Sequence, residues 1–118
     1  MAIISFAKTL KEYKAGIKFC TRRDWAYRQF KMWRQFWFDG KITHDAYDKS
    51  PRNGGIKIGE FELTCKPYRE YLWEMPLSDL KLEGGMCNTF PEFCELIGKK
   101  PHEIVTVIRF NPLPEVKP

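Results

Sequence analysis

Glycine stops divide this chain into short elements. They fall at Gly16, Asp39-Gly40, Asn53-Gly54-Gly55, Glu83-Gly84-Gly85 and Gly98. Glycine takes positive φ without steric cost, so such stops mark helix ends and turns. Between them, apolar periodicity assigns each piece. Residues 2–6, with β-branched Ile3 and Ile4, predict a strand. Residues 9–15 predict a short helix, with Thr9 as cap and Glu12 completing a capping box. Residues 17–22 predict a second strand. Asp24 is then a cap, and residues 25–38 fit a helix whose apolar stripe is Ala26, Phe30, Trp33 and Trp37. Residues 41–55 are polar and predict a long loop with one helical turn near Asp45 to Asp48. Residues 56–65 alternate, with a phase shift at Gly59 that predicts a bulge. Residues 68–73 extend the sheet and residues 78–82 form a short helix. Thr89 caps a helix ending at Gly98, with Pro91 in its first turn. Residues 104–110 form a closing strand, and a Pro-rich tail frays from 111.

This order of elements lacks the regular strand–helix alternation of a doubly wound parallel sheet. It predicts an α+β fold, a small mixed sheet or barrel flanked by helices. The chain has 118 residues, 43% hydrophobic and 30% charged. That is one globular domain, residues 1–118, with neither a disordered nor a fibrous composition. No apolar run is long enough to span a bilayer, so no membrane association is expected. The N-terminus lacks the basic and apolar regions of a secretory signal, which makes a cytoplasmic location the expectation. Cys20, Cys65, Cys87 and Cys94 have neither zinc-knuckle nor redox spacing and read as reduced, mostly buried thiols. Cys20 stands out, because the adjacent Arg22 and Arg23 would favour its thiolate.

Charge is unevenly distributed. Residues 8–34 carry nine basic and two acidic side chains, and residues 58–95 carry three basic and eight acidic. Two readings are open: the basic half faces phosphate, or the two halves attract each other in the fold. His44 lies near Asp45 and Asp48, but such a trio in a polar loop does not make a metal centre. No metal and no cofactor are expected.

The segment from Gly16 to Arg23 reads G-x-K-x-x-T-x-R. Gly59, Leu63 and Thr64 follow as G-x-x-x-L-T, Asp79-Leu80 and Glu83-Gly84 as D-L…E-G, and Glu92-Phe93 precedes the closing strand. In this order the motifs resemble the ASCH domain family of the PUA-like superfamily. The departure is an insertion at about 24–55, a long aromatic helix and loop where small members have a short connection. The resemblance implies a PUA-like β-barrel whose cleft binds RNA, a nucleotide or a modified nucleoside. Its amidohydrolase branch, acting on N4-acetylcytidine, implies catalytic roles for Lys18, Thr21 and Glu83.

That chemistry needs a nucleophile, a base and a polarised carbonyl. Thr21 would attack, and Lys18 would take its proton once burial beside Arg22 or Arg23 lowers its pKa. Glu83 would protonate the leaving group or hold the lysine. Residues three apart on a regular strand face opposite ways, so Lys18 and Thr21 converge only if the chain bends. Binding asks less. Gly16, Lys18, Arg22, Arg23, Trp25 and Arg28 are the candidate ligand contacts, with Lys31 and Arg34 interleaved among rings suited to stacking on bases. Trp25 is the candidate stacking wall, whereas Phe30, Trp33 and Trp37 fit a core stripe. A protein-interaction module using the aromatic helix is the third reading.

Overall fold

A computed structural model describes residues 2–114. In chain order the elements are β1 (Ile3–Ser5), α1 (Leu10–Lys14), β2 (Cys20–Arg23), α2 (Tyr27–Phe38), β3 (Thr43–Tyr47), β4 (Lys57–Leu63), β5 (Tyr68–Tyr71), α3 (Asp79–Leu82), α4 (Phe90–Ile97) and β6 (Ile104–Pro112). The fold is α+β, as expected. No helix among the described residues is long and apolar enough to cross a membrane.

The nine-residue β6 organises a six-stranded sheet of order β1-β3-β4-β6-β2, with β5 also paired to β6. Val107 is opposite both Arg22 of β2 and Tyr68 of β5, and Phe110 is opposite Leu63 of β4. All pairs are antiparallel except β1 with β3. β1 and β2 form no ladder with each other among the described residues, so the sheet stays open where a closed barrel was expected. These edge strands have three and four residues. The chain just before β2 bonds α3 instead, Phe19 N–H donating to the Leu82 carbonyl at 2.7 Å.

Two apolar clusters bury the sheet. One is aromatic: Phe6, Tyr13, Trp33, Phe61 and Phe110, with Ile4, Ala46, Leu63 and Ile108. Phe30 and Trp33 are the buried residues of α2, and Trp37 packs at the cluster's margin, so the expected stripe is the core face from Phe30 onward; its first member, Ala26, is exposed ahead of the helix. The second joins Phe93 of α4 to Leu72, Met75, Leu80, Cys87 and Val105.

Several local expectations need correction. The expected loop at 41–55 contains β3, which lies between β1 and β4. Its inward residues are His44 and Ala46, too weakly apolar to show alternation. The β3–β4 register shifts where Ala46 faces Gly59 and Tyr47 faces Lys57, which leaves Ile58 as the extra residue beside the predicted Gly59 bulge. Thr9 makes no side-chain cap. Asp24 does not cap α2 either, because the helix begins two residues later than expected; Asp24 pairs with Lys99. Asn111 and Pro112 belong to β6, and Leu113 N–H donates to the Glu60 carbonyl at 2.8 Å, so no fraying begins at 111. Residues 115–118 of the expected tail lie outside the described residues. α4 forms as predicted: the Thr89 hydroxyl accepts from Glu92 N–H, Pro91 is in the first turn, and Gly98 ends the helix at positive φ.

Candidate functional site

A cavity of about 300 Å³ lies where β2, α3 and α4 meet the chain after β1. Lys18, Thr21, Arg22, Arg23 and Glu83 all line it, together with Phe6, Phe93 and Val105. Two local features bring them together. Gly16 turns the chain at φ 73°, and residues 17–19 are irregular, so β2 begins only at Cys20. That bend lets Lys18 and Thr21 share one side, which a regular strand forbids. Asp79 at the start of α3 and Glu83, which caps its end, are four residues apart and present both carboxylates to β2. Gly84 sits at φ 129°, where a Cβ would come 2.8 Å from Glu12 Cβ, so this tight turn requires glycine.

The wall of the cavity is a buried ionic network. Lys18, 1% exposed, donates from Nζ to the Glu83 carbonyl at 2.7 Å and to Glu83 Oε1 at 3.1 Å. Arg22 donates to Glu70 at 2.7 Å, Asp79 at 2.6 Å and Glu83 Oε2 at 2.9 Å. Arg109 closes the network with a two-pronged contact to Asp79, at 2.6 and 3.2 Å, and bonds the Tyr68 hydroxyl. Three cations thus face three carboxylates, and the basic and acidic halves of the sequence meet here.

Burial costs the charged forms most. It lowers the Lys18 pKa, although the Glu83 charge pulls the other way. Burial also works against the Arg22 charge, but its acidic surroundings more than compensate and its pKa is raised. Asp79 has its pKa lowered: burial opposes this, and the hydrogen bonds from Arg109 and Arg22 prevail. Cys20 corrects an expectation. Burial raises its pKa and outweighs the neighbouring arginines, so it is a buried thiol rather than a favoured thiolate.

Arg23 is different. Its Nε donates to Thr21 Oγ1 at 3.0 Å, and its guanidinium lies 5.3 Å from the Phe6 ring centroid. No carboxylate pairs with it among the described residues. Burial lowers its pKa to about 10. Arg23 therefore stands at the cavity outside the balanced network, its terminal N–H groups without a partner among the described residues; the exposed Lys8, which also lines the cavity, has no carboxylate there either and reaches only the Leu96 carbonyl at 3.5 Å. Lys18 likewise has three donors and spends two on Glu83.

Other expected contacts lie elsewhere. Gly16 is in the turn after α1 and does not line this cavity. Trp25 stacks on Trp33 at 5.4 Å against the aromatic core, so it is not the cavity's stacking wall. Arg28 is exposed on α2, away from the cavity lining. His44 is buried, its Nδ1 accepting from Ala2 N–H and its Nε2 facing the Lys41 carbonyl at 2.7 Å. Sequence reasoning named Asp79 only as part of a motif, with no role, and did not single out Glu70, Tyr68 or Arg109. The available signal was Arg109, a lone charge inside the apolar run from Ile104 to Phe110.

No protein-family model matches this chain, and neither does any curated protein or solved structure.

Proposed function

We propose that this chain is an ASCH-like protein whose cavity holds a nucleotide or modified nucleoside, free or within an RNA. The observation that carries this reading is Arg23, a cation at the cavity that stands outside the balanced network. Its free N–H donors suit a phosphate or another anion. Apolar Phe6, Phe93 and Val105 share the cavity with it, a mixture that suits a base and a polar group together. The volume is at the small end for ligand pockets, so a single nucleotide fits better than a length of strand. The G-x-K-x-x-T-x-R residues Lys18, Thr21 and Arg23 converge at this one place. The open sheet is where this protein departs from the PUA-like barrel.

Calorimetric titration with cytidine monophosphate, cytidine and N4-acetylcytidine tests the reading. The wild type binds at least one of them. Arg23→Ala weakens the monophosphate by more than about tenfold, since a hydrogen bond to a charged group contributes about 1.5–3 kcal/mol. Absence of binding at millimolar ligand, or equal binding by the variant, contradicts it.

A second reading, amide hydrolysis of N4-acetylcytidine, rests on Lys18. Its amine has a lowered pKa and shares the cavity with Thr21 and Glu83. Thr21 Oγ would attack the acetyl carbonyl, Lys18 would accept the hydroxyl proton, and cytidine would leave with a proton on N4. Water would then release acetate from Thr21. Glu83, which contacts Lys18 through both carbonyl and carboxylate, is the positioning group. Lys18 and Thr21 share no hydrogen bond here, so the amine must shift towards the hydroxyl before it acts. Chromatography of N4-acetylcytidine incubated with wild type and Thr21→Val decides: cytidine from the wild type alone supports hydrolysis, and none from either removes it.

A further inference from the structure

The cavity makes no use of the outer face of α2. Tyr27, Lys31, Arg34 and Phe38 recur there at spacings of four, three and four, which aligns them in one stripe of ring, cation, cation, ring. Tyr27 and Phe38 are 54% and 62% exposed, about 16 Å apart along the axis at the helical rise. α2 contains no acidic residue. Two more cations reach the stripe, Arg69 from β5 and Lys66 from the chain just before it. Lys66 lies 5.7 Å from the Phe38 centroid, and Arg69 lies 5.5 Å from that of Tyr27 and 5.9 Å from that of Phe30. Lys31 and Arg34 lie over Tyr27 and Phe30 at 5.7 and 5.1 Å. Among the described residues, none of these four cations pairs with a carboxylate. An ordinary solvated face intersperses both signs.

We propose that this α2–β5 face binds single-stranded nucleic acid. Phosphates meet Lys31, Arg34, Lys66 and Arg69, and bases stack on Tyr27 and Phe38. Exposed rings at both ends of a cationic stripe match a polymer that repeats charge and flat surface. A bilayer fits less well, because the apolar side of α2, Phe30 and Trp33, is already buried in the protein. The face is separate from the cavity, and the inference stands whether or not the cavity binds a nucleotide.

Fluorescence anisotropy with a labelled oligouridylate of about 12 nucleotides, within the usual site size, tests it. The wild type binds with a salt slope near 3, as expected for about four single-strand phosphate contacts. Lys31→Gln with Arg34→Gln weakens binding by about 25-fold near 0.1 M salt and lowers the slope by about 1.4. Tyr27→Ala and Phe38→Ala each weaken it by about fivefold or more. Lys11→Gln, at an exposed lysine of α1 outside both the stripe and the cavity lining, leaves this binding within twofold of wild type, which ties the loss to this face. All of these sites are at the surface, and circular dichroism checks their folding. Wild-type binding that is absent or insensitive to salt overturns the proposal. So does affinity within twofold of wild type in the Lys31/Arg34 variant, or capture by phosphatidylserine vesicles without affinity for the oligouridylate.

Discussion

β3 carries Thr-His-Asp-Ala-Tyr and β2 carries Cys-Thr-Arg-Arg, and each buries polar side chains against the sheet. On β3 the buried group is His44, ringed by Trp33, Phe36 and Phe61 at centroid distances of 4.6, 5.0 and 6.1 Å. Both of its nitrogens are taken by main-chain groups. On β2 the buried group is Arg22, which is equally well satisfied, but its neighbours Thr21 and Arg23 open onto a cavity with donors to spare. Burial of a polar side chain is thus shared by structural and functional positions. What separates them is hydrogen-bonding capacity left unused beside open volume.

The largest expected effect sharpens the ionic side of this contrast. Arg22→Ala leaves Glu70, Asp79 and Glu83 short of a buried cation and costs about 3–5 kcal/mol in urea unfolding. A loss below 1 kcal/mol would show that water already compensates these acids. Next is the Lys18→Met and Glu83→Gln cycle. The two residues touch, so the double variant is expected to lose less than the sum of the singles, with a coupling of about 0.5–3 kcal/mol. Strict additivity would mean the pair is not a unit.

On β3 the contrast appears as a pH dependence. Burial holds the His44 pKa below its ordinary 6.5, so folding favours the neutral ring. The unfolded chain takes up that proton first. Stability is therefore fully present above pH 6.5 and falls as the pH drops from there towards the folded pKa, by up to about 1.4 kcal/mol per pH unit. His44→Gln removes that part of the slope, measured as urea midpoints from pH 8 to 5 (about the usual stability range). An unchanged slope would place the titration elsewhere. The smallest effect belongs to Arg23→Ala, which changes stability by no more than about 0.5 kcal/mol because no carboxylate depends on it. A large loss would make Arg23 structural and erase its difference from Arg22.

Where local signals agreed with packing, the sequence was legible. α4 has its cap, proline and terminal glycine at the predicted places, and β6 is an apolar β-branched run. β3 was hidden because His44 and Ala46 occupy its inward positions and imitate a polar loop. The convergence of Lys18, Thr21 and Glu83 was named from motifs alone, but the bend that permits it lies in three irregular residues that no periodicity marks. Trp25 and Arg28 follow Arg23 closely in sequence but do not line its cavity, because Trp25 stacks on Trp33 of the core and Arg28 lies on an exposed side of α2. The charge asymmetry was plain, whereas its resolution into a specific network depended on long-range pairing of β2 with β6 and α3.

The most direct test of the central claim is nitrogen-15 NMR of the wild-type protein titrated with cytidine monophosphate. The account predicts saturable shifts in the amides around Lys18, Thr21, Arg23 and Glu83, with His44 and its neighbours on β3 unmoved. Shifts confined to α2, or none at millimolar ligand, would contradict the assignment of the β2 cavity as the site.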